Sequence, residues 1–588
     1  MERRDFMLKT LGAQIKEYKN ASIATPVFML LEVLMETIIP LLMASIIDDG
    51  VNKGDTHHIY ITGVWMIAAA LLSLTFGCLG ARFGAKASMG LGRNLRKAMF
   101  ERIQTFSFAN IDKYNTSGLV TRLTTDVTNC QNAYQMILRM CMRAPASLIC
   151  AMAMSFFISP RIASIYLIAV IILGGLLILI TLTAMRYFQQ AFVKYDDLNE
   201  SVQENVSAIR VVKAYVRENF EKEKFKKASA NIRKLLVKAE NVVVWNTPLM
   251  QFTVYSCIIL ISWVGAKMVV GGSLKTGDLM ALLTYCMNIL MSLMMLSMVF
   301  VMISMSGASA KRICEVLTEE SALKNPEHPV YEVSDGSVRF DHVTFSYSAT
   351  SETPVLDDIN LTIQSGETVG IVGGTGSSKS SLVNLISRLY DVNEGAVYVG
   401  GKDVRDYDMK SLRNQVSVVL QNNVLFSGTI LDNLRWGNKN ATDEECIEAC
   451  RQACADEFIQ QFPDQYNTHI EQGGTNVSGG QKQRLCIARA LLKKPKILIL
   501  DDSTSAVDTA TDARIRKAFR EAIPGTTKFI IAQRISSVQD ADHIIVLNDG
   551  KLDGFGTHEE LLNTNAIYRD VYESQTKGGG DFDEGGAA

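Results

Sequence analysis

Apolar residues are distributed unevenly along this chain. In the first half they gather into six runs, residues 23–47, 59–83, 137–158, 162–185, 245–270 and 279–305. Each is about 20 residues or longer, enough at ~1.5 Å per residue to cross the ~30 Å hydrocarbon layer of a bilayer. The spacing of the runs is as telling as their number. The first and second, third and fourth, and fifth and sixth are joined by short links such as 159–161 and 271–278, whereas 84–136 and 186–244 are long, helically patterned and rich in Lys and Arg. Positive charge collects on the cytoplasmic side of membrane proteins, so both long loops and both termini are expected there. Two helices of about 25 residues in each loop would project its tip roughly 35–40 Å beyond the bilayer.

After the sixth run the pattern changes. Residues 315–337 are polar and include Pro326 and Pro329, which reads as a linker, and from 338 to about 575 short β-type apolar runs alternate with helical patterns. The expected architecture is an all-α six-helix membrane domain (21–314) followed by a cytoplasmic α/β domain (338–575). Residues 1–20 mix charges with Phe6, Met7, Leu8, Leu11 and Ile15 and lack the apolar core of a signal peptide, so an amphipathic surface helix is expected. Residues 576–588 are glycine-rich and acidic, the composition of a disordered tail.

Composition narrows the classes. A chain of 588 residues exceeds one hydrophobic core, and its net charge of −2 gives no electrostatic reason to expect nucleic acid. The eleven cysteines show no paired spacing, and several, Cys78, Cys150 and Cys257 among them, lie inside apolar runs, which favours reduced, buried thiols. Cys446, Cys450 and Cys454 share a helical face; without a nearby fourth ligand, packing is favoured over a metal site.

The chemistry begins at Gly373-Gly374-Thr375-Gly376-Ser377-Ser378-Lys379-Ser380, followed by Ser381. A β-type run precedes it and a helical pattern follows, the context of a phosphate-binding loop in a P-loop NTPase fold. Backbone N–H groups and the helix N-terminus cradle phosphate there, the lysine faces the β- and γ-phosphates, and the serine hydroxyl reaches Mg²⁺. A buried strand, Ile497-Leu498-Ile499-Leu500, ends in Asp501, a carboxylate placed to hold the hydration shell of Mg²⁺. Between them lie Gln421 and the run Val477-Ser478-Gly479-Gly480-Gln481-Lys482-Gln483-Arg484.

With that run the chain resembles the ATP-binding cassette (ABC) transporters, whose signature motif it matches, Gln421 matching the Q-loop. Tyr347 matches the aromatic that stacks on adenine, Ser505-Ala506-Val507-Asp508 resembles the D-loop, and Gln533 stands at the switch-histidine position. In the membrane half, Gly118-Leu119-Val120-Thr121-Arg122-Leu123 with Asp126 resembles the first coupling segment of ABC exporters, and Ile209-Arg210-Val211-Val212-Lys213-Ala214-Tyr215 the second. The resemblance implies ATP and Mg²⁺ as cofactors, Ser380, Gln421 and Asp501 around the metal (the last through water), and transport of a small molecule across the cytoplasmic (inner) membrane. It also implies a two-chain assembly, because each ATP lies between one cassette's phosphate loop and the other's signature; Ser478, Gly479, Gly480 and Gln481 serve the partner's nucleotide.

Three departures fall in one composite site. Asp502 stands where hydrolytic members carry glutamate, Gln533 replaces the switch histidine, and Ser378 replaces a glycine. A base one methylene too short is misplaced by about 1 Å, which can cost on the order of a hundredfold in rate. The alternatives are drift with retained hydrolysis, or a division of labour in which an unlike partner supplies an intact glutamate and histidine. The second is favoured, with Asp502, Gln533 and Asp508 as the catalytic positions of the weak site. The same weakness leaves open a nucleotide-gated channel or sensor. In the spans, Met287, Met291, Met294, Met298, Met302 and Met305 share one face of the sixth, either a packing stripe or a surface for varied apolar substrates. Glu32 and Glu36 share a face of the first span, and Arg139 and Arg143 a face of the third; these are either a Glu–Arg pairing or acidic cavity residues attracting a cationic substrate. Amphipathic, drug-like molecules are the expected cargo, with lipid or peptide as alternatives.

Overall fold

The computed structural model describes residues 2–348, 353–502 and 508–577. The chain divides into two compact units, 1–105 with 114–319, and 106–113 with 320–588.

The first unit is helical throughout. Among the described residues six helices are long and apolar enough to cross a membrane, and they are here numbered as spans: span 1 Lys19–Ser45, span 2 Thr56–Gln104, span 3 Val127–Ile158, span 4 Pro160–Ser207, span 5 Asn246–Val270 and span 6 Thr276–Thr318. Spans 2, 4 and 6 run unbroken for 49, 48 and 43 residues, far beyond what the bilayer requires. In the second long loop the continuation of span 4 pairs with the helix Glu218–Val243 through Lys224–Glu204 at 3.1 Å and Asn205 donating to Glu221 at 3.0 Å. A short helix, Ile209–Ala214, turns the corner, leaving Val211 and Tyr215 exposed.

Spans 4, 5 and 6 share a dry core that includes Tyr166, Leu173, Ile261, Tyr285 and Ile289. Its two tyrosines satisfy their hydroxyls on backbone carbonyls, Tyr166 on Leu282 at 2.9 Å and Tyr285 on Thr37 at 2.6 Å, which ties span 6 to spans 4 and 1. Gly277 lets the start of span 6 close on the end of span 1, where its N–H donates to the buried Asp48 at 2.7 Å. A side chain there would lie 2.4 Å from the Ala44 carbonyl oxygen.

Two features differ from the reading of the sequence. The N-terminal stretch is not one surface helix: the helix Glu2–Gly12 passes into a 3₁₀ turn, Ala13–Tyr18, broken at Lys16 with φ 43°. It also contacts the helical unit, with Asn94 of span 2 donating to the Gln14 carbonyl at 3.0 Å and the Cys314 thiol of span 6 meeting the Met7 carbonyl at 3.8 Å. The stretch from Gly118 to Asp126 also stays with the membrane unit. Asp126 is buried and receives both Nε and Nη2 of Arg312, at 2.7 and 2.5 Å, while Arg122 pairs with Glu315 at 3.2 Å. The part of the first loop that groups with the cassette lies just upstream, Phe106 to Lys113.

Among the described residues the second unit carries three sheets. Its strands are β1 Val338–Phe345, β2 Leu356–Ile363, β3 Thr368–Gly373, β4 Glu394–Val399, β5 Lys402–Asp403, β6 Val416–Val419, β7 Gly428–Thr429, β8 His469–Ile470, β9 Ile497–Asp501, β10 Thr527–Ile531, β11 His543–Asn548 and β12 Lys551–Gly556. The main sheet has order β12-β11-β3-β10-β9-β6, parallel except at β12, an antiparallel sheet has order β2-β1-β4-β5, and the smallest is the antiparallel pair β7-β8. Continuous apolar runs such as Ile497-Leu498-Ile499-Leu500 are buried on both faces, as a covered parallel sheet demands. Cys446, Cys450 and Cys454 lie in this unit's core beside Phe458 and Ile487, where they act as small apolar side chains.

The Asp126–Arg312 pair generates a test. Asp126 keeps 1% of its side chain exposed and Arg312 45%, so Arg312→Ala strands a buried carboxylate beside a half-exposed gap. A loss of about 2–3 kcal/mol is expected in denaturant unfolding of the full-length protein, below the value for a fully buried pair. Asp126→Asn in the same background should restore part of it; no recovery would show that the pair's charge is not what holds this corner.

Candidate functional site

The candidate nucleotide-binding residues gather at the C-terminal ends of neighbouring parallel strands. β3 runs into the loop Gly373–Ser378, which feeds the helix Lys379–Ile386. Gly376 takes φ 86° and Ser378 φ 71°, so the loop bends through two left-handed residues. The second explains why the related motif uses glycine: a Cβ in the left-handed region costs on the order of 1 kcal/mol. Lys379 Nζ folds back along the loop, donating to the carbonyls of Gly373 at 2.9 Å and Gly374 at 2.7 Å and to Ser377 Oγ at 3.3 Å. Burial holds the Lys379 ammonium below the usual lysine range, with Asp502 and Asp501 pulling the other way.

β9 ends in the two carboxylates. Asp501 is buried and accepts from Ser380 Oγ at 2.8 Å; burial pushes its carboxyl above the ordinary range, and the serine bond opposes that. The hydroxyl of Ser380, the carboxylate of Asp501 and the amide carbonyl of Gln421 are hard oxygen donors of the kind that suits Mg²⁺. Asp502 sits at φ 47°. Its Oδ2 accepts from Gln533 Nε2 at 2.7 Å and from Gln421 Nε2 at 3.4 Å. Thus all three sequence-predicted positions around the reacting end, Gln421, Asp502 and Gln533, converge on one oxygen. The backbone of Gln533 is itself gripped: Gln575 on the last helix, Ala566–Lys577, donates to the Gln533 carbonyl at 2.8 Å and accepts from Ile535 N–H at 2.9 Å. Nothing in the spacing of the sequence signals Gln575.

Tyr347 is half exposed, hydrogen-bonded to Ser381 Oγ at 2.9 Å, with its ring edge-to-face on Phe345 at 4.9 Å and on Tyr390 at 5.0 Å. Its free surface is a flat π platform beside the phosphate loop. Ser478 begins the helix Gly479–Leu491 with a capping box: Gln481 N–H donates to Ser478 Oγ at 3.3 Å, and Ser478 N–H to Gln481 Oε1 at 2.9 Å. Asp508 caps the helix Thr509–Ala522, and the Thr511 backbone N–H at 2.9 Å holds its carboxyl below the ordinary range. Its carboxylate is used as a cap and is not drawn to the Asp502 oxygen. Ser505, Ala506 and Val507 lie outside the described residues.

In the membrane unit the structure pairs the charges. Arg143 reaches Glu32 at 2.6 Å and Glu36 at 2.9 Å, one guanidinium bridging two carboxylates one helical turn apart. Arg139 does not join them; it lies against span 2, its Cδ 3.2 Å from where a Gly84 Cβ would stand. On span 6 the methionine face is exposed: Met287 43%, Met291 57%, Met294 45%, Met298 63% and Met302 38%. The opposite face, with Ile289, Leu290 and Val299, is buried. The thioethers are therefore only partly covered within this chain; the Met305 side chain lies outside the described residues.

Comparison with known proteins places these observations. The family model "ABC transporter transmembrane region" matches residues 23–312, and the model "ABC transporter" matches residues 356–505. An uncharacterized ABC transporter ATP-binding protein of Bacillus subtilis, YfiB, is 36% identical over 561 residues, covering 95% of this chain and 97% of its own. A fatty acid ABC transporter ATP-binding/permease protein of Mycobacterium tuberculosis is 32% identical over 478 residues, covering 81% and 75%. Among solved structures, a bacterial Atm1-family ABC exporter with ATP bound superposes with a TM-score of 0.81 at 24% identity, over 94% of this chain and 98% of that one, a likeness of fold.

The left-handed Ser378 gives the prediction of this site. Ser378→Gly should stabilise the cassette by up to about 1 kcal/mol, and Ser378→Val should destabilise it by more than that, since a β-branched residue fits this φ worst. Thermal unfolding of the nucleotide-free full-length protein reads both; a Val variant as stable as Ser would show that the loop does not need this conformation.

Proposed function

The chain belongs to the ABC transporter family, and from that premise we propose that it works as one half of a heterodimeric exporter of amphipathic small molecules in the cytoplasmic (inner) membrane. As a member it is a multi-pass membrane protein with a cytoplasmic cassette, an ATPase that binds ATP with Mg²⁺ and couples it to transport. Within that frame Tyr347 stacks on adenine, the loop from Gly373 to Ser381 with Lys379 holds the phosphates, Ser380, Gln421 and Asp501 hold Mg²⁺, and Ser478, Gly479, Gly480 and Gln481 complete the partner's site.

One observation carries the asymmetric reading. The oxygen of Asp502 that would accept a proton from water already accepts from two amides, Gln533 and Gln421. A glutamine at the switch position can donate to that oxygen but cannot take up a proton as an imidazole does. The arrangement suits a site that holds ATP more than one that cleaves it, while the signature run, with its capping box complete, is equipped to serve an unlike partner that supplies the glutamate and histidine. The same observation favours the second reading, a nucleotide-gated channel or sensor; ion flux without turnover in the reconstituted complex would select it.

Support for the cargo comes from the exposed methionine face and from a 390 Å³ apolar cavity between spans 3, 4 and 6, lined by Leu177, Leu182, Leu293 and Phe300 among others. Flexible thioethers adapt to varied apolar shapes. Glu32 and Glu36 share a single guanidinium, so the cluster keeps an acidic excess that suits a cationic group; lipid or peptide cargo remains the alternative, and the mycobacterial relative is named for fatty acid.

Two outcomes test this reading. Gly480→Asp places a carboxylate where backbone must meet phosphate and should abolish most ATP hydrolysis by the purified complex, whereas Asp502→Asn should leave most of it, a base already too short supplying little of the ~10²–10⁴-fold of a well-placed one. Equal, near-complete loss with both would mean that Asp502 is a working base and the sites are alike. Replacing Met291, Met294 and Met298 by Ala should change the profile of compounds that stimulate ATPase while basal turnover stays within about twofold; parallel loss of yield and turnover would return these residues to a packing role.

A further inference from the structure

The aromatic cluster behind Tyr347 does not stop at the nucleotide. Tyr390, five residues beyond Leu385 at the end of the phosphate-loop helix region, touches two things at once. Its ring meets Tyr347 edge-to-face at 5.0 Å, 85° between planes, and Phe345 at 5.7 Å. Its hydroxyl donates to Asp112 Oδ2 at 2.6 Å, and Phe108 lies against the same ring at 6.2 Å. Phe108 and Asp112 both belong to the short helix Phe108–Lys113, a piece of the first long loop that groups with the cassette. That helix is also pinned by Asn110, which donates to the Glu320 carbonyl at 2.9 Å and accepts from Ala322 N–H at 3.0 Å. In the chain it lies between the end of span 2 and the start of span 3.

An edge-to-face contact fixes the angle between two rings, and a hydrogen bond to a carboxylate fixes the position of a hydroxyl. A purine laid on Tyr347 restricts that ring, which is already tethered to the phosphate-loop helix through Ser381 at 2.9 Å. Restriction of Tyr347 restricts Tyr390, and Tyr390 holds Asp112. We propose that Tyr390 is a positioning residue that reports occupancy of the base site to the segment Phe108–Lys113, so that the loop joining spans 2 and 3 senses the base of the nucleotide as distinct from its phosphates. The inference rests on Tyr347 as the base-stacking residue.

The test compares a ligand with a base and one without. Amide hydrogen exchange is followed across 106–113 in the full-length complex in lipid nanodiscs, with Mg-ATP and with Mg-tripolyphosphate, each at a concentration that protects the amides of 373–380 equally. ATP should slow exchange in 106–113 by roughly fivefold and tripolyphosphate by less than about twofold. Tyr390→Phe keeps the ring and removes the bond to Asp112; protection of 373–380 should persist while the ATP-specific slowing at 106–113 falls to the tripolyphosphate level. Asp112→Asn, which retains an acceptor without charge, should fall between. Equal slowing by the two ligands in the unaltered protein, or undiminished ATP-specific slowing in Tyr390→Phe, overturns the proposal. Tyr347→Leu separates the two levels of the argument: if it keeps full preference for ATP over tripolyphosphate at the phosphate loop itself, the base-stacking assignment fails, and the relay fails with it for that reason and not for want of Tyr390.

Discussion

Half of this chain is built for a medium that offers no hydrogen bonds, and that constraint shapes everything else. A backbone crossing hydrocarbon must satisfy its own N–H and C=O groups, so each crossing is an unbroken helix. The same rule governs the side chains: Thr25 and Thr37 on span 1 and Ser155 on span 3 each donate back to the carbonyl four residues earlier, at 2.8, 2.7 and 2.8 Å. The charges obey it too, Arg143 placed where it meets Glu32 and Glu36 together. Because a helix, once started, propagates cheaply, spans 2, 4 and 6 continue well past the length a bilayer needs.

The cassette answers a different constraint, that of bringing charged groups close without burying them unpaired. A parallel sheet does this by aligning the C-terminal ends of its strands: β3 delivers the phosphate loop, β9 delivers Asp501 and Asp502, and the chain leaving β10 delivers Gln533 two residues later. Register keeps them level, Ile531 pairing with Asp501 on one side and with Ile371 on the other. Each charge then finds a neighbour, Lys379 the loop carbonyls and Asp501 the hydroxyl of Ser380.

How much of this was legible beforehand follows from the range of the interactions. The six spans, the phosphate loop and the strand ending in Asp501 are local patterns of period and polarity, and they stand where the sequence puts them. What the sequence left open depended on contacts far apart in the chain. The choice of Arg143 over Arg139 as the partner of Glu32 and Glu36 depends on helix rotation, which spacing alone does not fix. The orientation of the methionine face was open for the same reason. Asp126 reads as part of a coupling segment by motif, yet its partner is Arg312, 186 positions away. Tyr390 and Gln575 carry no motif, and only folding brings them to Tyr347 and Gln533. The kink at Lys16 has no glycine or proline to announce it.

The three departures at the reacting end are coherent with one another once their geometry is considered together. Asp502, one methylene shorter than glutamate, has its Oδ2 2.7 Å from the Gln533 amide. An imidazole at 533 would have a proton to exchange, whereas the amide has donors that it keeps. Gln575 then holds the backbone at Gln533 and Ile535, while Ser378 takes φ 71° in the phosphate loop. Asp502 and Gln533 are joined directly at 2.7 Å, so the two positions act as one unit, which is the arrangement that the proposed nucleotide-holding site requires.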